Sequence, residues 1–98
     1  MYTNYQRGKH FEKRIMKFYE GLGYLVINRP RSKFPDLICL KSGSSGENIV
    51  MFIECKTNNW LSKDEMLGFK KLRVDFPLAE LKVCWRKNRK IMVRDVFT

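Results

Sequence analysis

Two stretches decide the fold: Pro35-Asp36-Leu37-Ile38-Cys39-Leu40 and Ile49-Val50-Met51-Phe52-Ile53-Glu54-Cys55-Lys56. Both are short apolar runs of strand length, and between them lies the flexible turn Ser42-Gly43-Ser44-Ser45-Gly46. The second run alternates: Ile49, Met51, Ile53 and Cys55 take one face, and Val50, Phe52, Glu54 and Lys56 the other. A hairpin centred on Ser45 sets Asp36 directly opposite Glu54. Facing side chains in an antiparallel pair have Cβ atoms about 4.5–5.5 Å apart. Two carboxylates that close repel each other unless a proton or a cation lies between them. A divalent metal with oxygen ligands fits, and Mg²⁺ suits a site of few protein ligands and several waters, with Mn²⁺ as its substitute.

Outward from this hairpin, the region from Tyr5 to Glu20 reads as a helix. Phe11, Ile15, Phe18 and Leu22 recur at helical spacing, and Gly21 and Gly23 stand where a helix ends. Glu12 follows Phe11 and flanks that apolar stripe, so it is a third carboxylate within reach of the strand ends. Tyr24 to Asn28 reads as a first strand. Arg29-Pro30-Arg31-Ser32-Lys33-Phe34-Pro35 is a basic loop, because its prolines disfavour regular structure. After the hairpin, Ser62 and Glu65 form a capping-box pattern and Leu61 with Met66 a hydrophobic staple, starting a helix that runs to Asp75. Leu81 to Trp85 and Ile91 to Phe97 read as a closing pair of strands joined by Arg86-Lys87-Asn88-Arg89-Lys90. The expected fold is α/β, a single domain over residues 1–98, with a mixed sheet flanked by helices in the order α-β-β-β-α-β-β.

Composition narrows the function. The 98 residues hold 20 Lys plus Arg against 10 Asp plus Glu, a net charge of +10. Folding does not require that excess, and it points to a polyanionic partner, nucleic acid first. With 44% hydrophobic and 13% aromatic residues, the chain is too rich in core formers for a disordered basic tail. It has no apolar run of membrane-spanning length and no signal-peptide core, so no membrane role is expected. Cys39, Cys55 and Cys84 are odd in number and widely spaced, which disfavours a disulfide framework or zinc site and fits a reducing, cytoplasmic setting. They read as small buried apolar residues.

Pro35-Asp36 followed by Glu54-Cys55-Lys56 resembles the PD-(D/E)XK signature of a large nuclease superfamily. Read with Arg7-Gly8-Lys9, Phe11-Glu12, Gly23-Tyr24, Pro30-Arg31-Ser32-Lys33 and Phe52-Ile53, the N-terminal half resembles the archaeal-type Holliday junction resolvases. VRR-NUC nucleases, whose Pro-Asp and Glu-x-Lys motifs look much the same, come second. The resemblance implies that Glu12, Asp36 and Glu54 are acidic active-site residues. Asp36, Glu54 and the backbone carbonyl of Cys55 would then ligate the metal, with Glu12 beside them. Lys56 would orient or help deprotonate the attacking water, or stabilise the charged transition state. Ser32 falls where those resolvases carry a serine near the scissile phosphate. It further implies a homodimer nicking four-way DNA junctions symmetrically. The chain departs from the pattern at Glu65, near the place where the family usually has a glutamine.

The basic residues near these motifs are DNA-binding candidates: Arg7, Lys9 and Lys13 on the first helix, and Arg29, Arg31 and Lys33 on the loop before Asp36. Such side chains position a phosphate backbone without reading sequence, as structure-specific cleavage requires. The run from Arg86 to Lys90 is a weaker extension of the same surface. His10 reads as an exposed helix residue or phosphate contact. Trp60 reads as a loop tryptophan that touches DNA, a second subunit or the core. Two other classes compete: a nuclease of the same fold acting on flaps or other DNA structures, and a non-catalytic basic DNA-binding protein. The second leaves unexplained why acidic residues converge beside Lys56.

Overall fold

A computed structural model of the chain describes residues 3–29, 31 and 33–97. It contains α1 (Asn4–Gly21), β1 (Leu25–Asn28), β2 (Leu37–Ser42), β3 (Asn48–Cys55), α2 (Lys63–Asp75), β4 (Glu80–Lys87) and β5 (Lys90–Asp95). The strands form one five-stranded sheet in the order β1-β2-β3-β4-β5. All neighbours are antiparallel except β3 and β4, which are parallel and joined through α2. The α/β fold and its α-β-β-β-α-β-β order are those expected.

The hairpin register is also the one expected. Leu37 pairs with Ile53, Cys39 with Met51 and Ser42 with Asn48, a ladder centred on Ser45. Each face of the sheet carries its own core. Ile15 and Tyr19 of α1 pack with Leu37, Cys39, Met51, Ile53 and Cys84. Phe69 of α2 packs with Phe52, Leu61, Leu81, Val83 and Val96. The alternation of β3 therefore separates two buried faces, and its even-numbered face is the one toward α2. Cys84 and Trp85 join opposite cores, and all three cysteines are free thiols, with Cys39 and Cys84 buried.

Three expectations need correction. The core stripe of α1 is Phe11, Ile15 and Tyr19, whereas Phe18 and Leu22 are about half exposed, at 45% and 50%. Tyr19 is drawn into the core by where α1 lands on the sheet, and its ring meets that of Tyr24 edge-on, with centroids 5.7 Å apart. The first closing strand is longer than expected and runs to Lys87, the second begins at Lys90 and ends at Asp95, and their turn is only Asn88-Arg89, both at positive φ (52° and 65°). That backbone suits the right-handed twist of a tight hairpin. Arg86 therefore lies within β4, not in a loop. Strand β2 begins at Leu37, with Asp36 just outside it.

Both helices begin with a capping box, that of α2 as expected and that of α1 found only in the structure. Ser62 and Glu65 form the capping box of α2, and Thr3 and Gln6 form one on α1. The C-terminus of α1 closes with Tyr24 N–H donating to Tyr19 O (3.1 Å) and Gly23 N–H to Glu20 O (3.0 Å). Gly23 sits at φ +97°, where a side chain would be strained. Among the described residues no helix is long and apolar enough to cross a membrane.

Candidate active site

The carboxylates sit where β3 outruns β2. At Cys55 the β2 side of the ladder has no strand residue left to pair, and side chains take over. Asp36 Oδ2 accepts from the Cys55 N–H (2.9 Å), and Glu54 Oε1 accepts from the Asp36 N–H (3.0 Å). On its other side β3 stays paired, with Lys56 N–H donating to Cys84 O (2.8 Å). The two acids are thereby fixed by backbone that the core holds rigid. Both are nearly buried, at 6% and 7% exposure, although they are charged residue types.

Burial and proximity act on them together. Burial pushes the Asp36 carboxyl above its ordinary value, against the N–H of Cys55, which favours the ionised form. Burial and then the Asp36 charge push Glu54 up to about 9. Glu12, from α1, is half-buried and shifted the same way, by burial first and Asp36 second. Clustered acids that resist ionisation fit a hard divalent cation, which removes their repulsion. Among the described residues, no three acidic, His or Cys side chains come close enough to cage an ion alone. The donor set thus matches an ion that keeps several waters and takes one or two carboxylates, as Mg²⁺ does. Asp36 and Glu54 would hold it, and Glu12 faces them from α1.

These groups line a groove of about 680 Å³. Its floor is Asp36, Glu54, Cys55 and Lys56. One wall is the start of α1, from Asn4 to Glu12, and includes Arg7 and Lys9. Thr57 and Arg86 close the far side. Of the expected DNA contacts, Arg7 and Lys9 reach the groove, while Lys13, Arg29, Arg31 and Lys33 are not among its lining residues. Arg29 is spent on the chain itself, donating from Nη1 to Phe34 O (2.6 Å). Ser32 lies outside the described residues. Trp60 is 68% exposed on the loop after β3.

Arg86, expected in the joining loop as a weaker extension of the basic surface, lies in β4 and lines the groove. One contact escaped the sequence reading: Glu65, read as the cap of α2 and as a departure from the family pattern, also has both oxygens 2.8 Å from Lys56 Nζ. Oε1 accepts the Ser62 N–H as well (2.8 Å). Partial burial would raise its carboxyl, yet the hydrogen bonds from Lys56 and Ser62 outweigh burial and hold it at about 2. The signal was the spacing from Lys56 to the first turn of α2, where a capping acid must face the end of β3.

The chain folds as a mixed five-stranded sheet with an acidic pair across β2 and β3 and a lysine two residues on. In solved structures it is similar to Hjc of Archaeoglobus fulgidus, a Holliday junction resolvase from an archaeal hyperthermophile. The TM-score is 0.71, with 22% identity over 92% of this chain and 73% of that one. Among curated proteins it is similar to a UPF0102 protein of Sulfurihydrogenibium sp. (strain YO3AOP1), at 31% identity over 71 residues. That match takes in 68% of this chain, which spans 59% of the relative's length. No family model matches the chain.

Proposed function

We propose that the protein is a divalent-metal-dependent, structure-specific DNA endonuclease that resolves four-way junctions as a homodimer. The observation that carries this reading is the buried Asp36–Glu54 pair at the floor of a groove walled by Arg7, Lys9 and Arg86. A protein that only bound DNA would gain nothing from burying acids beside phosphates.

Phosphodiester hydrolysis needs a water made nucleophilic near neutral pH and relief of the charge that builds on the phosphate oxygens. A Mg²⁺ ion bound by Asp36, Glu54 and the Cys55 carbonyl, with Glu12 beside it, supplies both when present. The chain's own residues do the rest. Lys56, held by Glu65, presents a fixed ammonium toward the phosphate and stabilises the growing charge. Arg7, Lys9 and Arg86 hold the sugar–phosphate backbone along the groove without reading bases. Symmetric nicking of a junction requires two such sites related by a two-fold axis, hence a second copy of the chain. The likeness to an archaeal resolvase in fold supports the junction as substrate.

The test is a panel of end-labelled DNAs, namely a four-way junction, its component duplexes and a 5′ flap, incubated with Mg²⁺ or EDTA. Paired symmetric nicks in the junction alone are expected. Cutting of the flap or duplex instead would keep the chemistry and replace the substrate.

A further inference from the structure

The wall of the groove on α1 contains a gap. Asn4, Gly8 and Glu12 stand four residues apart, so they form one straight row along the helix, and all three line the groove. Gly8 is one helical turn, about 6 Å, from Glu12. On its flanks are Arg7 and the pair Tyr5–Lys9, in which the ammonium lies 5.1 Å from the ring centroid. Tyr5 is 66% exposed and also lines the groove.

Nothing in the fold accounts for a glycine here. In a helix interior it is less favourable than alanine because it loses more backbone freedom on folding. A close neighbour would justify it, as at Gly68, where an added Cβ would stand 2.6 Å from the Phe34 ring. At Gly8 an added Cβ would meet no atom of the protein within 4 Å. Gly21 is equally open but lies at the end of α1, where glycine suits the helix terminus. Gly8 is the fifth of the 18 residues of α1 and has no such role.

We propose that Gly8 is a close-approach position for substrate: a notch in α1, one turn from Glu12, through which the sugar–phosphate backbone next to the scissile phosphate runs against bare helix. Arg7 and Lys9 flank the notch and neutralise that backbone, and the Tyr5 ring, beneath Lys9, forms its outer edge. The inference deepens the nuclease reading and rests on it. It assigns substrate positioning to a residue with no side chain.

The test uses the full chain with Gly8→Ala, Gly8→Leu and Gly21→Ala. Each is a change to a helix-favouring residue in open space, so melting temperatures should hold or rise. Binding is read by anisotropy of a fluorescent four-way junction in EDTA, and cleavage in Mg²⁺. Gly8→Leu should weaken binding about tenfold and raise KM more than it lowers kcat, Gly8→Ala should do so less, and Gly21→Ala should match wild type. Wild-type binding by Gly8→Leu, or equal losses in Gly21→Ala, would overturn the notch and leave the nuclease reading standing. Failure of wild type to bind any DNA would overturn both.

Discussion

Lys56 and Glu65 form a two-pronged ion pair, each carboxylate oxygen 2.8 Å from the ammonium, between the end of β3 and the first turn of α2. The same carboxylate closes the capping box of α2. One side chain thus fixes where the helix starts and where the lysine points. Glu65→Ala should lower kcat about tenfold or more with little change in KM, since it frees the lysine without touching the groove's basic walls. Glu65→Gln keeps the cap and one acceptor and should fall between. Equal activity in all three proteins would remove Glu65 from any role in positioning Lys56.

The acid side of the stability profile follows from the same pair. Glu65 is held at about 2 in the folded chain, below the ordinary carboxylate range. A depressed group stabilises the fold above its unfolded pKa and loses that contribution as pH falls through the folded one. Wild type should therefore lose stability relative to Glu65→Gln between about pH 5 and pH 2, read as the difference in urea midpoint.

Asp36 and Glu54 act in the opposite sense. Their carboxyls are raised, so their stabilising contribution is complete below the unfolded pKa and is lost as pH rises, for Glu54 toward about 9. In EDTA, the melting temperature of Glu54→Gln should exceed that of wild type by several degrees at pH 8, and the gap should close near pH 4. Gln retains the Oε1 that accepts the Asp36 N–H, so only charge is removed. Added Mg²⁺ should raise the wild-type value and leave the variant's unchanged.

Gly68 and Gly8 should respond oppositely to alanine. The Phe34 ring occupies the space over Gly68 and stacks edge-on against Phe69, with centroids 4.8 Å apart. Gly68→Ala must displace that ring, at a cost of about 1–3 kcal/mol by urea unfolding. Because Phe34 lies two residues before Asp36, cleavage should fall too.

Much of this was legible in the chain because its signals were local. The turn around Ser45 and the matched runs beside it set the β2–β3 register, which brought Asp36 and Glu54 together. The capping box marked the start of α2 for the same reason. What escaped depended on contacts between distant elements. Tyr19 rather than Phe18 faces the sheet because of where α1 lands on it. Glu65 meets Lys56 only once α2 folds back beside β3. Arg86, expected on the joining loop, enters the groove from β4 because that strand lies parallel to β3 and ends at the same edge. Arg29 was lost from the basic set to a carbonyl five residues away, a bond that composition does not reveal.

Basic residues should sort by position in the groove. Arg7→Ala and Arg86→Ala should each reduce the salt dependence of junction binding by about one in the slope of log K against log salt. Lys17→Ala, on the exposed side of α1 and outside the groove, should leave it unchanged.

The most direct measurement is strand cleavage of a labelled four-way junction by wild type and Glu54→Gln in Mg²⁺, with binding of the same junction measured in parallel. The expected result is that Glu54→Gln binds as wild type does or more tightly, because a negative charge beside the phosphate is gone, and cuts at least about a hundredfold more slowly. Equal cleavage by the two proteins, or none by wild type with full binding, would contradict a metal-assisted hydrolytic site at Asp36 and Glu54.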